Sequence, residues 1–265
     1  MFKIAVCIKA VPDPELASKI KIDPKTGSLI RTNIPLVINP LDRNALEAAL
    51  NIKSTQGAEI TVFSMGPPQA DTTLKQCLAL GADQGILLSD IAFAGADAYS
   101  TALTLASGIK KAGEFDLVIC GVSSSDGATE WVGPEISVHL GLPVVTMVSE
   151  ISELTPEMIQ LKANIENGYR KMEVDLPALL TVTMELNTPK NLSFSGIIKA
   201  KKKEIAVWGI KDLDISENLV GLKGSPTIVT EMNPLEKKRE IEFIEGDRTE
   251  KANILVSKLI DAGVI

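Results

Sequence analysis

Short apolar runs and amphipathic stretches take turns along the first 150 positions. "FKIAVCIKAV" from Phe2 predicts a strand, and "LVINP" at Leu36–Pro40 leads into a helix. In "NPLDRNALEAALNIK", Asn39 stands where an N-cap belongs, Pro40 suits the first helical position, and Asp42 complements the positive helix end. Leu46, Ala49, Leu50 and Lys53 then recur at helical spacing. "AEITVFSMG" at Ala58–Gly66 and "QGILLSD" at Gln84–Asp90 return to strand character. The helix between them opens at Pro67 and Pro68, turns Leu74, Cys77 and Leu78 inward, and stops at Gly81. A third helix starts at Asp97, aligns Tyr99, Leu103, Ala106 and Ile109, and ends at Gly113. "FDLVIC" at Phe115–Cys120 is the next strand, followed by a polar loop, a helix through Leu140 and the strand "LPVVTMV". This alternation predicts an α/β fold with a doubly wound, mostly parallel sheet joined by right-handed crossovers.

After Ser149 the period drops to two. "MIQLKANIENGYRKMEVDLPALLTVT" alternates on either side of Asn167-Gly168, a hairpin turn signal, so an antiparallel hairpin is expected to extend the sheet. Beyond Asn187 core-like patterning thins, which fits an extended arm on a partner, closed by a helix from Asp247 to Ala262 with Ala252, Leu255, Leu259 and Ile260 on one face. The expected division is a nucleotide-binding α/β domain over 1–186, then a partner-binding loop and C-terminal arm over 187–265.

Composition narrows the function classes. Hydrophobic residues make up 45% and charged residues 23%, ordinary for a globular protein. No apolar run approaches the ~18 residues of a membrane helix, so no membrane insertion is expected. Lys9 and Pro12 interrupt the N-terminal run too early for a signal peptide, and a cytoplasmic location follows as the expectation. A net charge of −7 argues against nucleic-acid binding. Cys7, Cys77 and Cys120 are widely spaced within apolar segments, and His139 is the sole histidine, so reduced buried thiols are expected and no metal site.

Candidate chemistry gathers at strand ends, where open parallel sheets bind ligands. These ends are Cys7–Lys9, Asn39-Pro40-Leu41-Asp42, Met65-Gly66, and the long loop "GVSSSDGATEWVG". In that loop, which starts at Gly121, Gly127 and Gly133 permit close backbone approach; Ser123, Ser124, Ser125 and Thr129 offer hydroxyls; and a helix N-terminus follows. The chemistry suits a phosphate, yet no standard phosphate-loop spacing is present, and an ordinary polar turn fits equally well. "SDIAFAGADAYST" at Ser89–Thr101 is a second candidate, with room at Gly95 for a flat ring, or else a capped surface loop. His139 lies past the loop serines and makes no triad, and Asp126 with Glu130 suits capping or ribose contact better than acid–base work. No catalytic residue is assigned; redox chemistry here needs a cofactor.

Seven ordered blocks, "VCIKAVPDP", "INPLDRNALEAAL", "SMGPPQA", "LALGADQGILLSD", "FAGADAYST", "DGATEWVGPEI" and "GIIKAKKKEI", resemble the beta subunit of electron-transfer flavoprotein over almost the whole chain. The resemblance implies a heterodimer with an alpha subunit that holds a redox FAD, while the beta subunit binds either AMP or, in electron-bifurcating members, a second FAD. It carries nucleotide contacts onto Cys7, Asn39–Asp42, Met65 and the run Gly121, Val122, Ser123, Ser124, Ser125, Asp126, Gly127, Ala128, Thr129, Glu130, Trp131 and Val132. "SMGP" and the run Val132-Gly133-Pro134 look like bifurcating members. That type implies hydride from NADH, one electron to ferredoxin, and one through the alpha-subunit FAD to a flavin-dependent dehydrogenase.

The pattern has departures. Relatives of this type read Asp-Gly-Asp-Thr-Ala-Gln-Val-Gly where this chain has Ala128, Glu130 and Trp131, so Trp131 is assigned to ring stacking or to an interface gap. Relatives show Pro-Arg-Tyr where this chain has Pro189-Lys190-Asn191. By count along this loop of Lys190, Asn191, Leu192 and Ser193, Phe194 falls at the apolar anchor that docks on an acyl-CoA dehydrogenase, and the changed neighbours leave a 2-hydroxy-acid dehydrogenase as the alternative partner. Two other classes stay open: a stand-alone nucleotide-binding regulator, which has no need of the arm, and an ATP-dependent enzyme of related fold, against which the missing Lys-bearing phosphate loop weighs.

Overall fold

In the computed structural model, which describes residues 1–19, 21–22, 29–30, 34–230 and 241–265, most of the apolar runs become strands of one sheet, while Leu36–Ile38 pairs with Ala10–Pro12 in a separate two-stranded sheet. The first elements are β1 (Phe2–Cys7), β2 (Ala10–Pro12), β3 (Lys21–Ile22), β4 (Leu29–Ile30), β5 (Leu36–Ile38), α1 (Pro40–Gln56) and β6 (Ala58–Met65). There follow α2 (Asp71–Leu80), β7 (Gln84–Leu88), α3 (Ala98–Ala112), β8 (Leu117–Gly121), α4 (Val132–Leu140) and β9 (Val144–Leu154). The rest are β10 (Met158–Ile165), β11 (Gly168–Asp175), β12 (Ala178–Val182), α5 (Phe194–Ala200), β13 (Ile205–Trp208), α6 (Gly221–Gly224) and α7 (Arg248–Asp261).

Among the described residues the main sheet has nine strands in the order β11-β10-β9-β12-β8-β1-β6-β7-β13. From β9 to β13 all neighbours pair in parallel, while β9-β10-β11 form the antiparallel extension. The hairpin turns where Asn167-Gly168 predicts, with Ile165 opposite Gly168. Central strands read as unbroken apolar runs because both faces are covered. Ile4 and Val6 of β1 face α1 and α2, packing with Leu46, Ala49, Leu74 and Cys77. Ala5 and Cys7 face α3 and α4, packing with Leu105, Ile109 and Ile136. Cys7, Cys77 and Cys120 are buried free thiols, as expected.

Two sequence expectations shift. The buried face of α3 is Ala102, Leu105, Ala106 and Ile109, with Leu103 and Tyr99 at its rim. Ser100 and Thr104 join that face because their hydroxyls donate to the Gly221 and Ser100 carbonyls, which removes the cost of burying them. The segment after Asn187 also returns to the core rather than running on as an arm. Ala200 of α5 packs in the α2 face, β13 pairs with β7 from Ile205↔Gly85 to Trp208↔Leu88, and Leu213 and Val220 fill the α3 face.

The chain divides into two compact units, Met1–Thr230 and Glu231–Ile265. In the second, α7 opens with a capping box: the Asp247 carboxylate accepts the Thr249 and Glu250 N–H groups, and Glu250 accepts the Asp247 N–H. Among the described residues no helix is long and apolar enough to cross a membrane.

Candidate functional site

The sheet changes direction beside β1. From β1 the chain crosses through α1 to β6 on one side, whereas β8 lies on the other and continues through α4 on the opposite face. Loops leaving the carboxyl ends of β1 and β8 therefore diverge, and the gap between them is where open α/β sheets receive ligands. Most of the residues singled out in the sequence border this gap.

Three side chains stitch it together. Asn39 is 1% exposed; its Nδ2 donates to the Ser123 carbonyl at 2.8 Å and its Oδ1 accepts the Ser125 N–H at 3.0 Å. It occupies the N-cap position of α1, but its carboxamide is spent across the gap and caps nothing. Asp42 Oδ2 accepts the Lys9 N–H at 2.7 Å and Oδ1 accepts the Gly121 N–H at 3.1 Å. Burial outweighs these hydrogen bonds and pushes its carboxyl up to about 7. A Cβ on Gly121 would lie 2.5 Å from Asp42 Oδ1, so glycine is what lets α1 press on the end of β8. Lys9 Nζ, finally, lies 2.6 Å from Asp126 Oδ1 and 3.2 Å from Ser124 Oγ.

The loop itself is backbone-led. Ser124 accepts the Ala128 N–H through its carbonyl and the Gly127 N–H through Oγ, so that hydroxyl serves the loop rather than facing outward. Ala128 (φ 49°) and Glu130 (φ 61°) hold left-handed backbone, at a cost of about 1–2 kcal/mol each. Left-handed residues placed along a turn gather successive N–H groups into a concavity for anions. The N–H groups of Thr129, Glu130 and Trp131 meet no acceptor among the described residues, and they lead straight into the N-terminus of α4. The sequence points to Gly127 and Gly133 for close backbone approach; at Gly133 the close neighbour is β12, since a Cβ there would lie 2.5 Å from Thr181 Cγ2.

The remaining candidates line the rim. Cys7 and Cys120 sit side by side on β1 and β8; a hydrogen bond with Cys7, together with burial, raises the Cys120 thiol well above its usual range and keeps it neutral. Met65 and Gly66 are half-buried at the end of β6, Pro40 is exposed and Leu41 half-buried. Trp131 is 66% exposed beside a cleft of about 420 Å³ lined by Val122, Pro134, Glu135, Val138 and Met147. The residues thus fit a phosphate-bearing ligand: amides at a helix start with no acceptor among the described residues, glycine where chains must approach, and a cation at the mouth.

Other candidates fall elsewhere. At Ser89–Thr101, Leu222 packs on Gly95, and Asp97 accepts hydrogen bonds from Ser100 and Thr227, so the chain itself covers that loop. His139 stacks edge-on with Tyr99 at 5.3 Å, and burial followed by the Lys110 charge lowers its pKa; it meets no loop serine. Phe194 is 80% exposed at the start of α5, where Ser193 caps the Gly196 N–H. Leu192, Ile197 and Ile198 are exposed beside it. The base of this loop is clamped to α1: Arg43 donates to the Lys190 carbonyl, Asn44 and Asn187 exchange side-chain-to-backbone bonds, and buried Glu47 accepts the Lys190 N–H. Sequence reading passed over this clamp, whose signal is two polar residues, Asn44 and Glu47, flanking the apolar stripe of α1.

Residues 26–213 match the family described as Electron transfer flavoprotein domain. The chain is 45% identical over 256 residues to the electron transfer flavoprotein subunit beta of Clostridium acetobutylicum, covering 97% of each. It is 45% identical over 265 residues to the caffeyl-CoA reductase-Etf complex subunit CarD of Acetobacterium woodii, covering 99% of this chain and 100% of that one. Protein FixA of Azorhizobium caulinodans is 35% identical over 264 residues, covering 97% and 93%.

Proposed function

Because this chain belongs to the electron transfer flavoprotein family, as a subunit of the beta type, we propose that its crevice between β1 and β8 holds the adenine nucleotide part of an FAD, in a complex that bifurcates electrons. The observation that carries the reading is the row of N–H groups at Thr129, Glu130 and Trp131 that meet no acceptor among the described residues, set at a helix start across the sheet's switch point from Lys9. In this reading those amides bind the diphosphate, Asn39 and Asp42 fix the loop that presents them, and Met65 and Cys7 close the crevice floor. When bound, the flavin supplies hydride acceptance from NADH and single-electron transfer, to ferredoxin on one route and through the FAD of the alpha-type subunit to a dehydrogenase on the other. The chain contributes no acid, base or nucleophile of its own to that chemistry.

A dehydrogenase acting on an acyl-CoA suits the partner role, since relatives are named as a subunit of a caffeyl-CoA reductase-Etf complex and as an electron transfer subunit of acryloyl-CoA reductase. Phe194, with Lys190, Asn191, Leu192 and Ser193 around it, is the proposed docking point, and the complex is placed in the cytoplasm. The test is to purify the heterodimer, extract it and count nucleotides, then add NADH anaerobically with and without ferredoxin. Two FAD per dimer and ferredoxin-dependent NADH oxidation are expected. One FAD plus one AMP would overturn the bifurcating reading and leave an AMP-bearing subunit of the same family.

A further inference from the structure

We propose that the cleft beside α4 receives an arginine side chain of the alpha-type subunit, with the Trp131 indole against the guanidinium face and the Glu135 carboxylate as its counter-charge. The cleft opens on the β12 side of β8, away from β1, so this role stands whichever nucleotide the crevice holds.

Glu135 sets the problem. Its Oε2 is buried and has no hydrogen-bond partner among the described residues. Buried side-chain oxygens are nearly always paired, so an orphaned one marks a place where a further group belongs. Burial, and then the negative charge of Asp97, hold the Glu135 carboxyl above its usual range. Both causes act against the ionised form, and a cation beside it would reverse them.

The cleft has a volume of about 420 Å³, and the two charged residues that line it, Glu130 and Glu135, are both acidic. Its floor is shaped by a β-bulge. Leu180 pairs with Val145 and Val182 with Val148, which leaves Thr146 and Met147 together opposite Thr181. Successive strand residues ordinarily point to opposite faces, yet here both border the cleft, and Met147 takes left-handed backbone (φ 61°) where they do. Thr181 Oγ1 accepts the Met147 N–H at 3.3 Å and so holds the bulge. Strained backbone that its surroundings hold in place is concentrated at binding sites.

These walls select the ligand. Two carboxylates call for positive charge. A hard metal ion needs more oxygen ligands than they supply, and no metal-binding group of side chains occurs among the described residues. Trp131, 66% exposed, offers an aromatic face, which attracts a cation with a flat body. A guanidinium meets both demands, because it is planar, always charged and weakly hydrated, stacks on rings, and donates paired N–H bonds to a carboxylate.

The mouth shows what delivers it. Trp131, Glu135 and Val138 follow one another at spacings of four and three on one side of α4, and Val138 is 78% exposed. An acidic pocket between two exposed large apolar side chains has the anatomy of an interface centre, where Trp and Arg are enriched. α4 packs on the α3 face of the sheet, whereas α5 with Phe194 packs on the α2 face, so the proposed dehydrogenase contact lies on the other side. Apolar side chains at such a mouth suit a permanent partner, and the permanent partner of a beta-type chain is its alpha-type subunit.

The experiment treats the heterodimer, wild type and Glu135→Gln, with phenylglyoxal for arginines and acetic anhydride for lysines, and reads the modified positions by mass spectrometry. One arginine of the alpha-type subunit should be protected in the wild type and react about 10-fold faster in Glu135→Gln. The dissociation constant of the two chains should rise about 10- to 100-fold. The Tm of the full-length chain on its own should stay level or rise, because the substitution removes a buried charge without a partner. Trp131→Leu keeps apolar volume but loses the ring, and should still weaken assembly about 3- to 10-fold. If Glu135→Gln fails to fold by circular dichroism, arginine protection in the Trp131→Leu heterodimer decides. Equal reactivity of every alpha-subunit arginine in wild type and variant overturns the proposal. So does a lysine that changes in place of an arginine, or a protected arginine that belongs to residues 231–265 of this chain. A Tm of the lone chain that falls in step with assembly would make Glu135 a structural residue and overturn it as well.

Discussion

Asp42 accepts backbone N–H groups from the ends of both β1 and β8, so one carboxyl group ties the two strands whose loops part to form the crevice. Burial raises its pKa from 3.8 to about 7. The folded chain therefore keeps a proton that the unfolded chain has released above about pH 4. Its contribution to stability is full below that point and is lost as pH climbs through 7, by up to roughly 4 kcal/mol from linkage alone. Asp42→Asn keeps the shape but sets an NH2 group against one of the two backbone donors, costing about 1–3 kcal/mol at pH 5. Because only the wild type titrates, that difference should shrink toward pH 8. Denaturant unfolding of both proteins from pH 5 to 8 measures it, and a difference independent of pH would show that Asp42 is ionised throughout.

At the scale of elements, α1 is the connector between the two candidate sites. Its first turn carries Asn39 and Asp42 at the crevice, and its next turns carry Arg43, Asn44 and Glu47 against residues 187–191 below the exposed Phe194. Asn187→Ala removes the two bonds of its side chain, the donation from Nδ2 to the Asn44 carbonyl and the acceptance by Oδ1 from Asn44 Nδ2, while the Asn44 carboxamide keeps the Asn187 and Met184 carbonyls. The docking loop should loosen, and electron transfer to the partner dehydrogenase should fall about 3- to 10-fold. Nucleotide content should stay at the wild-type level. Steady-state transfer rates beside nucleotide counts test this, and loss of nucleotide would mean the clamp supports the crevice instead. The same helix shows what could be read in advance. Its start at Pro40 and its stripe of Leu46 and Ala49 follow from local rules, as does the Asn167-Gly168 turn, because cap residues, spacing and turn chemistry act within a few positions. The destination of the Asn39 carboxamide lies 84 and 86 residues away, at Ser123 and Ser125, where no local rule reaches. β13 was hidden for a related reason: four residues with one pairing neighbour, at a sheet edge, leave little apolar pattern to find. In the crevice, the loop was legible as a candidate anion cradle from its glycines and the helix after it. That Ala128 and Glu130 would carry the left-handed backbone, and that Lys9 would reach Asp126 across 117 residues, was not.

In the first unit the sheet buries its apolar runs on two faces, yet a compact group of large apolar side chains stays in solvent at Leu192, Phe194, Ile197 and Ile198, on and before α5. These lie on a short, capped helix held to α2 and α1, a rigid mount for an exposed anchor. Scattered exposed apolar residues need no explanation, but a clustered, mounted aromatic one marks a contact surface. Phe194 is 80% exposed, so removing it costs the free chain little. If a dehydrogenase buries the ring, truncation forfeits about 1.5–3 kcal/mol of docking, or roughly 10- to 100-fold in KM for that partner. Phe194→Ala should therefore leave Tm and nucleotide content unchanged while raising that KM, with kcat at saturating partner nearly kept. Phe194→Leu should recover most of the loss, because the requirement is for apolar volume. A KM that does not move in Phe194→Ala would place the dehydrogenase contact on another face of the molecule, and a fall in kcat alone would assign Phe194 to the electron-transfer geometry rather than to docking.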